Sequence, residues 1–263
     1  MTQGTRGGMA DHRYLERFRL DGRTALITGA SRNIGAAIAR AFAEAGAGLV
    51  INARTPGPLE ACAFDLRERY GAPVLAVAAD LSQPAERTRL IEAIATADLE
   101  IDMLVNNATS GGRPDSGLAT SGEQWRDAVE VNVAAPFELC RAFIPGMQAR
   151  GRGAVVNVLS TAAFAVVPPM LAYGSMKAAL WTMTRYLARE CAPAVRVNAI
   201  CPGTIQEGGA LKVPSWARLL PLTALGRVGD PDELACAALF LASDAASYTT
   251  GEVVFVDGGR ARA

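Results

Sequence analysis

Histidine is all but absent from this chain. His12 is the only one in 263 residues, and it lies in a polar N-terminal stretch. A serine or cysteine nucleophile therefore has no imidazole to act as its base. A His-rich zinc site cannot be built either, and no cysteine spacing replaces it, so no metal site is expected. The five cysteines, Cys62, Cys140, Cys191, Cys201 and Cys236, are odd in number and include no C-x-x-C pair. They read as reduced thiols of a cytoplasmic protein, each a small buried hydrophobe.

A charge excess is missing too. Lysine plus arginine and aspartate plus glutamate number 26 each, which gives no electrostatic case for a nucleic acid or an anionic membrane. Residues 153–176 form a 24-residue run without a charge, long enough to be weighed as a membrane span. Pro168 and Pro169 break any helix there, and strand-type residues precede them, so a buried strand and an apolar loop fit better. The first 20 residues are polar with both signs of charge, and no signal peptide is expected. Neither the G-x-G-x-x-G fingerprint nor the G-x-x-x-x-G-K-[ST] phosphate loop is present.

What is there suits one α/β domain. Half of the residues are apolar, and the length allows one well-buried core but not two full domains. Strands are expected at 25–28, 49–53, 74–78, 103–106, 154–159, 196–200 and 253–256, with helices between them. Such alternation argues for a parallel sheet covered on both faces. Residues 1–19 read as a flexible extension before a catalytic unit at 20–263. Asp230-Pro231-Asp232-Glu233 is a strong helix start, with a cap, a first-turn proline and a glutamate three residues past the cap. The irregular stretch at about 203–229 reads as a substrate lid hinged near Gly208 and Gly209, with Trp216 as an aromatic wall.

Two local patterns carry chemistry. Residues 23–28 read as a buried strand, 29–35 as a glycine turn and 36–45 as an Ala-rich helix, a layout that offers backbone N–H groups to a phosphate. Tyr173 and Lys177, at i and i+4, share one face of a helix, with Ser160 upstream. Bringing a phenol from about 10 to near 7 takes roughly 4 kcal/mol. A unit charge at about 4 Å in an effective dielectric of about 20 supplies that much.

In this order the pieces resemble the single-domain branch of the short-chain dehydrogenase/reductase family. Its T-G-x-x-x-G-x-G turn is matched by Thr28-Gly29-Ala-Ser-Arg-Asn33-Ile-Gly35, and its N-N-A-G by Asn106-Asn107-Ala108-Thr109. Its remaining signatures are matched by Asn132, Ser160, Tyr173 with Lys177, and Pro202-Gly203. The matches run from about residue 20 to residue 259. Three positions depart: Asn33 and Thr109 stand where the family has glycines, and Glu207 where it has a threonine that holds the nicotinamide amide. Asparagine tolerates left-handed backbone well, so the turn should survive.

The resemblance implies a Rossmann-type, doubly wound, seven-stranded parallel sheet and hydride transfer between a nicotinamide cofactor and a ketone or secondary alcohol. The implied catalytic set is Asn132, Ser160, Tyr173 and Lys177: Tyr173 as acid/base, Ser160 holding the substrate oxygen, Lys177 on the nicotinamide ribose and lowering the Tyr173 pKa, and Asn132 holding a relay water. The implied cofactor contacts are Gly29, Ser31, Arg32, Asn33, Ile34, Gly35, Arg54, Asp80, Leu81, Asn107, Ala108, Tyr173, Lys177, Pro202, Gly203 and Ile205. The position where an acidic residue would grip a ribose 2′-hydroxyl is Ala53, and Arg54 and Arg32 suit a 2′-phosphate, so NADP(H) is expected over NAD(H). Asp80 matches the family's adenine contact and could equally cap the following helix.

Phe164, Val166, Val167 and Met170 beside Ser160 suggest an apolar ketone or alcohol of small to medium size. Stretches resembling bacterial hydroxysteroid dehydrogenases (Gly111-Gly112 among them) and 3-oxoacyl-carrier-protein reductases are shared too widely to decide. The family also implies a homotetramer or homodimer, with a small-molecule carbonyl or alcohol substrate and neither nucleic acid nor membrane as partner. The alternative reading is a non-catalytic nucleotide-binding regulator or scaffold on the same fold.

Overall fold

The structure is a computed structural model that describes residues 13–110, 117–167, 170–209 and 214–260. His12, Gly111, Gly112, Pro168, Pro169 and the Trp216 side chain lie outside what is described. Seven strands form one sheet: β1 (Thr24–Thr28), β2 (Gly48–Ala53), β3 (Val74–Ala78), β4 (Met103–Asn106), β5 (Gly153–Val158), β6 (Val195–Pro202) and β7 (Val253–Val256). Their order is β3-β2-β1-β4-β5-β6-β7, and every pairing is parallel. The expected strands are all present.

The helices are α1 (Asn33–Glu44), α2 (Pro56–Tyr70), α3 (Pro84–Thr96), α4 (Gly122–Val129), α5 (Ala135–Ala149), α6 (Leu171–Cys191) and α7 (Pro231–Ala242). Strand residues alternate between two cores, as a period of two requires. Ala25, Ile27, Leu49 and Ile51 pack with Phe42 of α1, Leu66 of α2 and Leu234 of α7. Leu26 and Val50 face the other way, with Leu90 of α3, Leu139 of α5 and Ala188 of α6. Strands buried on both faces read as near-continuous apolar runs, and β1, β2 and β4 do so apart from Thr24, Thr28, Asn52 and Asn106.

One ion-pair cluster ties α3 to the helices beside it. Arg87 is only 2% exposed. Its Nε and Nη2 grip both Glu138 carboxylate oxygens at 2.7 and 3.0 Å, and Nη1 donates to Glu130 and to the Leu81 carbonyl, each at 2.8 Å. Both glutamates reach water, which limits the cost of breaking the cluster. Arg87→Met is expected to destabilise the fold by about 2–3 kcal/mol. Arg87→Lys should recover only part, because an ammonium cannot form the fork. Urea midpoints of the three proteins check this; equal midpoints would remove the cluster from the account of stability.

Two segments refine the expectations. Within the expected extension, Leu15–Phe18 form a 3-10 turn, and the Phe18 ring lies 6.5 Å from that of Phe240. The stretch after β6 leaves and returns beside itself: Gly229 donates to the Thr204 carbonyl at 2.9 Å, and Gln206 to that of Gly229 at 3.0 Å. Gly208 and Gly209 are both left-handed there, at φ 75° and 60°. The helix start at Asp230 forms as expected: its carboxylate accepts from Asp232 N–H, and Glu233 accepts from Asp230 N–H at 2.8 Å.

Candidate active site

The strand order reverses between β1 and β4, so the loops at their C-terminal ends diverge and leave a crevice. A groove of about 980 Å³ opens there. Gly29 begins its floor at φ 66°, and Asn33 follows at φ 52° as the first residue of α1. The left-handed asparagine fulfils the glycine's role in the turn. A Cβ at Gly35 would meet Asn107 Nδ2 at 2.6 Å, so close helix-to-sheet packing requires glycine there. Asn107 staples the ends of β1 and β4: Nδ2 donates to the Thr28 and Gly29 carbonyls at 2.8 and 3.1 Å. The Thr28 hydroxyl accepts from the N–H groups of Asn107 and Ala108, each at 3.0 Å.

Of the expected cofactor contacts, Gly29, Ser31, Arg32, Asn33, Ile34, Gly35, Arg54, Asp80, Leu81, Asn107, Ala108 and Tyr173 all line this groove. Arg32 and Arg54 are exposed, and neither has an ion-pair partner among the described residues. Asp80 accepts from Ser82 N–H at 3.0 Å, so it both faces the groove and closes the turn before α3. Lys177, Pro202, Gly203 and Ile205 are not among the lining residues. Gly203 has a packing reason instead, since a Cβ there would come within 2.6 Å of the Asp257 Cα. Glu207 stands at the position of the family's threonine. Its carboxylate accepts from Asn33 N–H at 3.2 Å, at the start of α1. An anion already seated on that N–H shows that the turn favours negative charge, as a pyrophosphate needs.

The catalytic candidates converge at the other end. A buried ladder places α6: Asn106 donates to Asn157, Asn157 to Thr184, and Thr184 to the Leu180 carbonyl, each at 2.8 Å. Tyr173 and Lys177 lie in the first two turns of α6, and Ser160 sits just past β5. The Ser160 Oγ accepts from Ala162 N–H at 3.2 Å, leaving its own proton to donate. Asn132 is completely buried in a π-helical turn, Glu130–Ala134, between α4 and α5. Its Nδ2 donates to the Ser110 and Ala128 carbonyls at 2.8 and 2.9 Å.

The electrostatics differ from expectation. Burial pushes the Tyr173 phenol above its ordinary value, and hydrogen bonding with Ser160 and Thr109 offsets only part of that. Lys177 does not bring it down in this arrangement. Its Nζ donates to the Val158 carbonyl at 2.8 Å and lies 5.7 Å from the centre of the Tyr173 ring. Burial drops the pKa of Lys177 itself to about 7. Burial pushes the Cys140 and Cys201 thiols up to about 12, which makes them inert fillers. Cys236, by contrast, is exposed, and Cys62 is half-buried.

The sequence reading missed a polar wall. Ser110 donates to the Asp127 carboxylate, and both line the groove together with Thr120 and Gln124. The Thr120 hydroxyl is buried without a hydrogen-bond partner among the described residues. The run of small polar residues after Ala108 was the available signal. The apolar residues after Ser160 do not line the groove: Phe164 packs on Trp181 and Phe255, at 6.1 and 4.9 Å between ring centres.

A family model described as enoyl-(acyl carrier protein) reductase matches residues 29–261. The chain belongs to the short-chain dehydrogenase/reductase family. It is 41% identical over 253 residues to a galactitol 2-dehydrogenase (L-tagatose-forming) of Cereibacter sphaeroides, covering 94% of this chain and 98% of that one. A gluconate 5-dehydrogenase from Burkholderia cenocepacia, solved with NADP and tartrate, is similar at TM-score 0.87 and 33% identity, over 95% of this chain and 99% of the other. A 7α-hydroxysteroid dehydrogenase solved with NADH and 7-oxo glycochenodeoxycholic acid reaches 0.86 and 33%, over 94% and 97%. This member of the family is therefore an oxidoreductase by descent, and the two solved neighbours hold NADP in one case and NADH in the other. Among the described residues no helix is long and apolar enough to cross a membrane, and no cluster of His, Cys, Asp and Glu could hold a metal.

Proposed function

We propose that the chain interconverts a secondary alcohol and a ketone with NADP(H), on a small hydroxylated substrate such as a polyol, ketose or sugar acid. The observation that carries the reading is Tyr173 lining a groove that starts at the glycine turn, with the Lys177 amine 5.7 Å from its ring centre and Ser160 just past β5. The residues present fit a dinucleotide: glycines where a Cβ would collide, an anion-seeking N–H at Asn33, and two exposed arginines. When bound, the nicotinamide supplies or accepts the hydride. Tyr173 then delivers the proton to the nascent alkoxide in reduction, or removes it in oxidation. Ser160 donates to the same oxygen and holds it in place as charge develops. Lys177, with N–H groups beyond the one given to Val158, would hold the ribose. The loop at about 203–229 is the substrate lid, with Gly208 and Gly209 as its hinge.

Two observations favour a hydroxylated substrate over the apolar one expected from residues 161–171. Thr120, whose hydroxyl is buried without a hydrogen-bond partner among the described residues, and Asp127 both line the groove, and a polar wall of this kind suits a substrate rich in hydroxyls. A relative's activity on galactitol supports this choice of class. Cofactor choice rests on Arg32 and Arg54, since the relatives divide between NADP and NADH.

A panel of polyols, ketoses, sugar acids and apolar ketones, assayed by cofactor absorbance with both cofactors, tests the reading. Turnover is expected on the hydroxylated compounds, with NADPH bound at least about tenfold more tightly than NADH. Arg54→Ala should weaken NADPH binding about tenfold and leave NADH nearly unchanged. Tighter NADH binding, or turnover confined to apolar ketones, would overturn the cofactor or the substrate assignment respectively. A chain that binds NADPH and turns over nothing would instead support the scaffold reading.

A further inference from the structure

Helix α1 begins without a cap of its own. Arg32, the residue before it, makes no side-chain hydrogen bond to the first turn, and that turn holds no acidic residue. An anion reaches it instead from 174 positions away: the Glu207 carboxylate accepts from Asn33 N–H at 3.2 Å. The family has an uncharged threonine at that position. The backbone on either side of Glu207 is pinned. Gln206 N–H donates to the Gly229 carbonyl at 3.0 Å, and Gly208 N–H donates to the Asp230 carboxylate at 2.7 Å. Glu207 is therefore held at the start of α1, and its carboxylate can leave Asn33 by side-chain rotation alone.

That place has a second claimant. Ser31, Arg32 and Asn33 line the groove, and a dinucleotide in such a fold lays its diphosphate on the N-terminus of the first helix. The Asn33 N–H has one proton, and the partial positive charge of a helix end falls off within a turn. A carboxylate and a diphosphate set on the same turn repel each other. We propose that Glu207 competes with the cofactor diphosphate for the start of α1 and so sets the affinity for any nicotinamide dinucleotide. The inference rests on the cofactor site of the proposed function. In the free protein Glu207 caps α1, and the dinucleotide binds once the carboxylate has turned away. The apparent affinity is then reduced by the fraction of molecules in which the N–H is uncovered. A threonine carries no charge and imposes no such loss.

The test is calorimetric titration of the wild type, Glu207→Gln and Glu207→Thr with NADPH, NADH and ADP, with no substrate present. ADP has the diphosphate and lacks the nicotinamide. Both variants are expected to bind all three nucleotides about tenfold more tightly than the wild type at about 0.1 M salt. At about 1 M salt the screening length falls from about 10 Å to about 3 Å, and the gain should drop below about threefold. Unchanged affinity would leave Glu207 a helix cap and nothing more. Looser NADPH and NADH with unchanged ADP would mean that it holds the nicotinamide amide, in the manner of the family's threonine. A gain that ignores salt would remove charge as the cause. Each of these three results overturns the proposal. Failure of the underlying reading looks different: none of the three proteins would take up any of the three nucleotides, and the cofactor site itself would fall.

Discussion

Phenylalanine at position 173 is expected to lower turnover by about 10²–10⁴-fold while NADPH binding stays within about threefold of wild type. The change removes one oxygen. The ring stays, still lining the groove and still beneath the Lys177 ammonium. What disappears is the group that would give the substrate oxygen its proton. Stability should change by no more than about 1 kcal/mol. Loss of rate without loss of fold or cofactor is the pattern of a missing proton donor. Cofactor titration by fluorescence and turnover of the same preparation separate the two. Activity above a tenth of wild type would mean the proton comes from elsewhere.

Much of this was legible in the chain because the relevant contacts are local or periodic. Strands buried on both faces must be apolar runs, and Leu49-Val-Ile in β2 or Val253-Val-Phe-Val in β7 has no other economical reading. Tyr173 and Lys177 meet through helical spacing alone. Asn33 announced a left-handed turn by its residue type, and the turn is left-handed. The unread features join residues that sequence spacing does not relate. Glu207 reaches Asn33 across 174 positions, and no local pattern predicts that contact. Thr109 and Asn132 meet only because a π-helical turn carries the asparagine inward, and residue type alone does not fix that wider turn. Phe164, near Ser160 in sequence, suggests an apolar substrate. Its ring instead satisfies itself on Trp181 and Phe255, on α6 and β7. Charge and spacing alone imply that Lys177 lowers the phenol pKa, but burial is the larger influence on both groups.

Replacing Lys177 by methionine should abolish turnover and make the cofactor-free protein more stable. The side chain is 1% exposed, and one carbonyl, that of Val158, accepts from it among the described residues. A cation so poorly matched disfavours its own charge, and the pKa falls from 10.5 to about 7. At about 1.4 kcal/mol per unit the ceiling on this penalty is about 5 kcal/mol. Methionine leaves the Val158 carbonyl without its donor, which gives back about 1–3 kcal/mol, so a net gain of about 2–3 kcal/mol is expected at pH 6. The sign with pH follows from the two pKa values. Between about 7 and 10.5 the unfolded chain binds a proton that the folded chain does not, so the wild type gains stability as pH rises through that window. The advantage of methionine is therefore greatest below pH 7 and fades toward pH 10.5. Urea unfolding of both proteins at pH 6, 8 and 10 measures it. A variant no more stable than the wild type at pH 6 would show that Lys177 is satisfied in the free protein. A gain would show the reverse: an amine kept at a structural loss, with donors that a ribose hydroxyl could use, in the position where the family resemblance expects one.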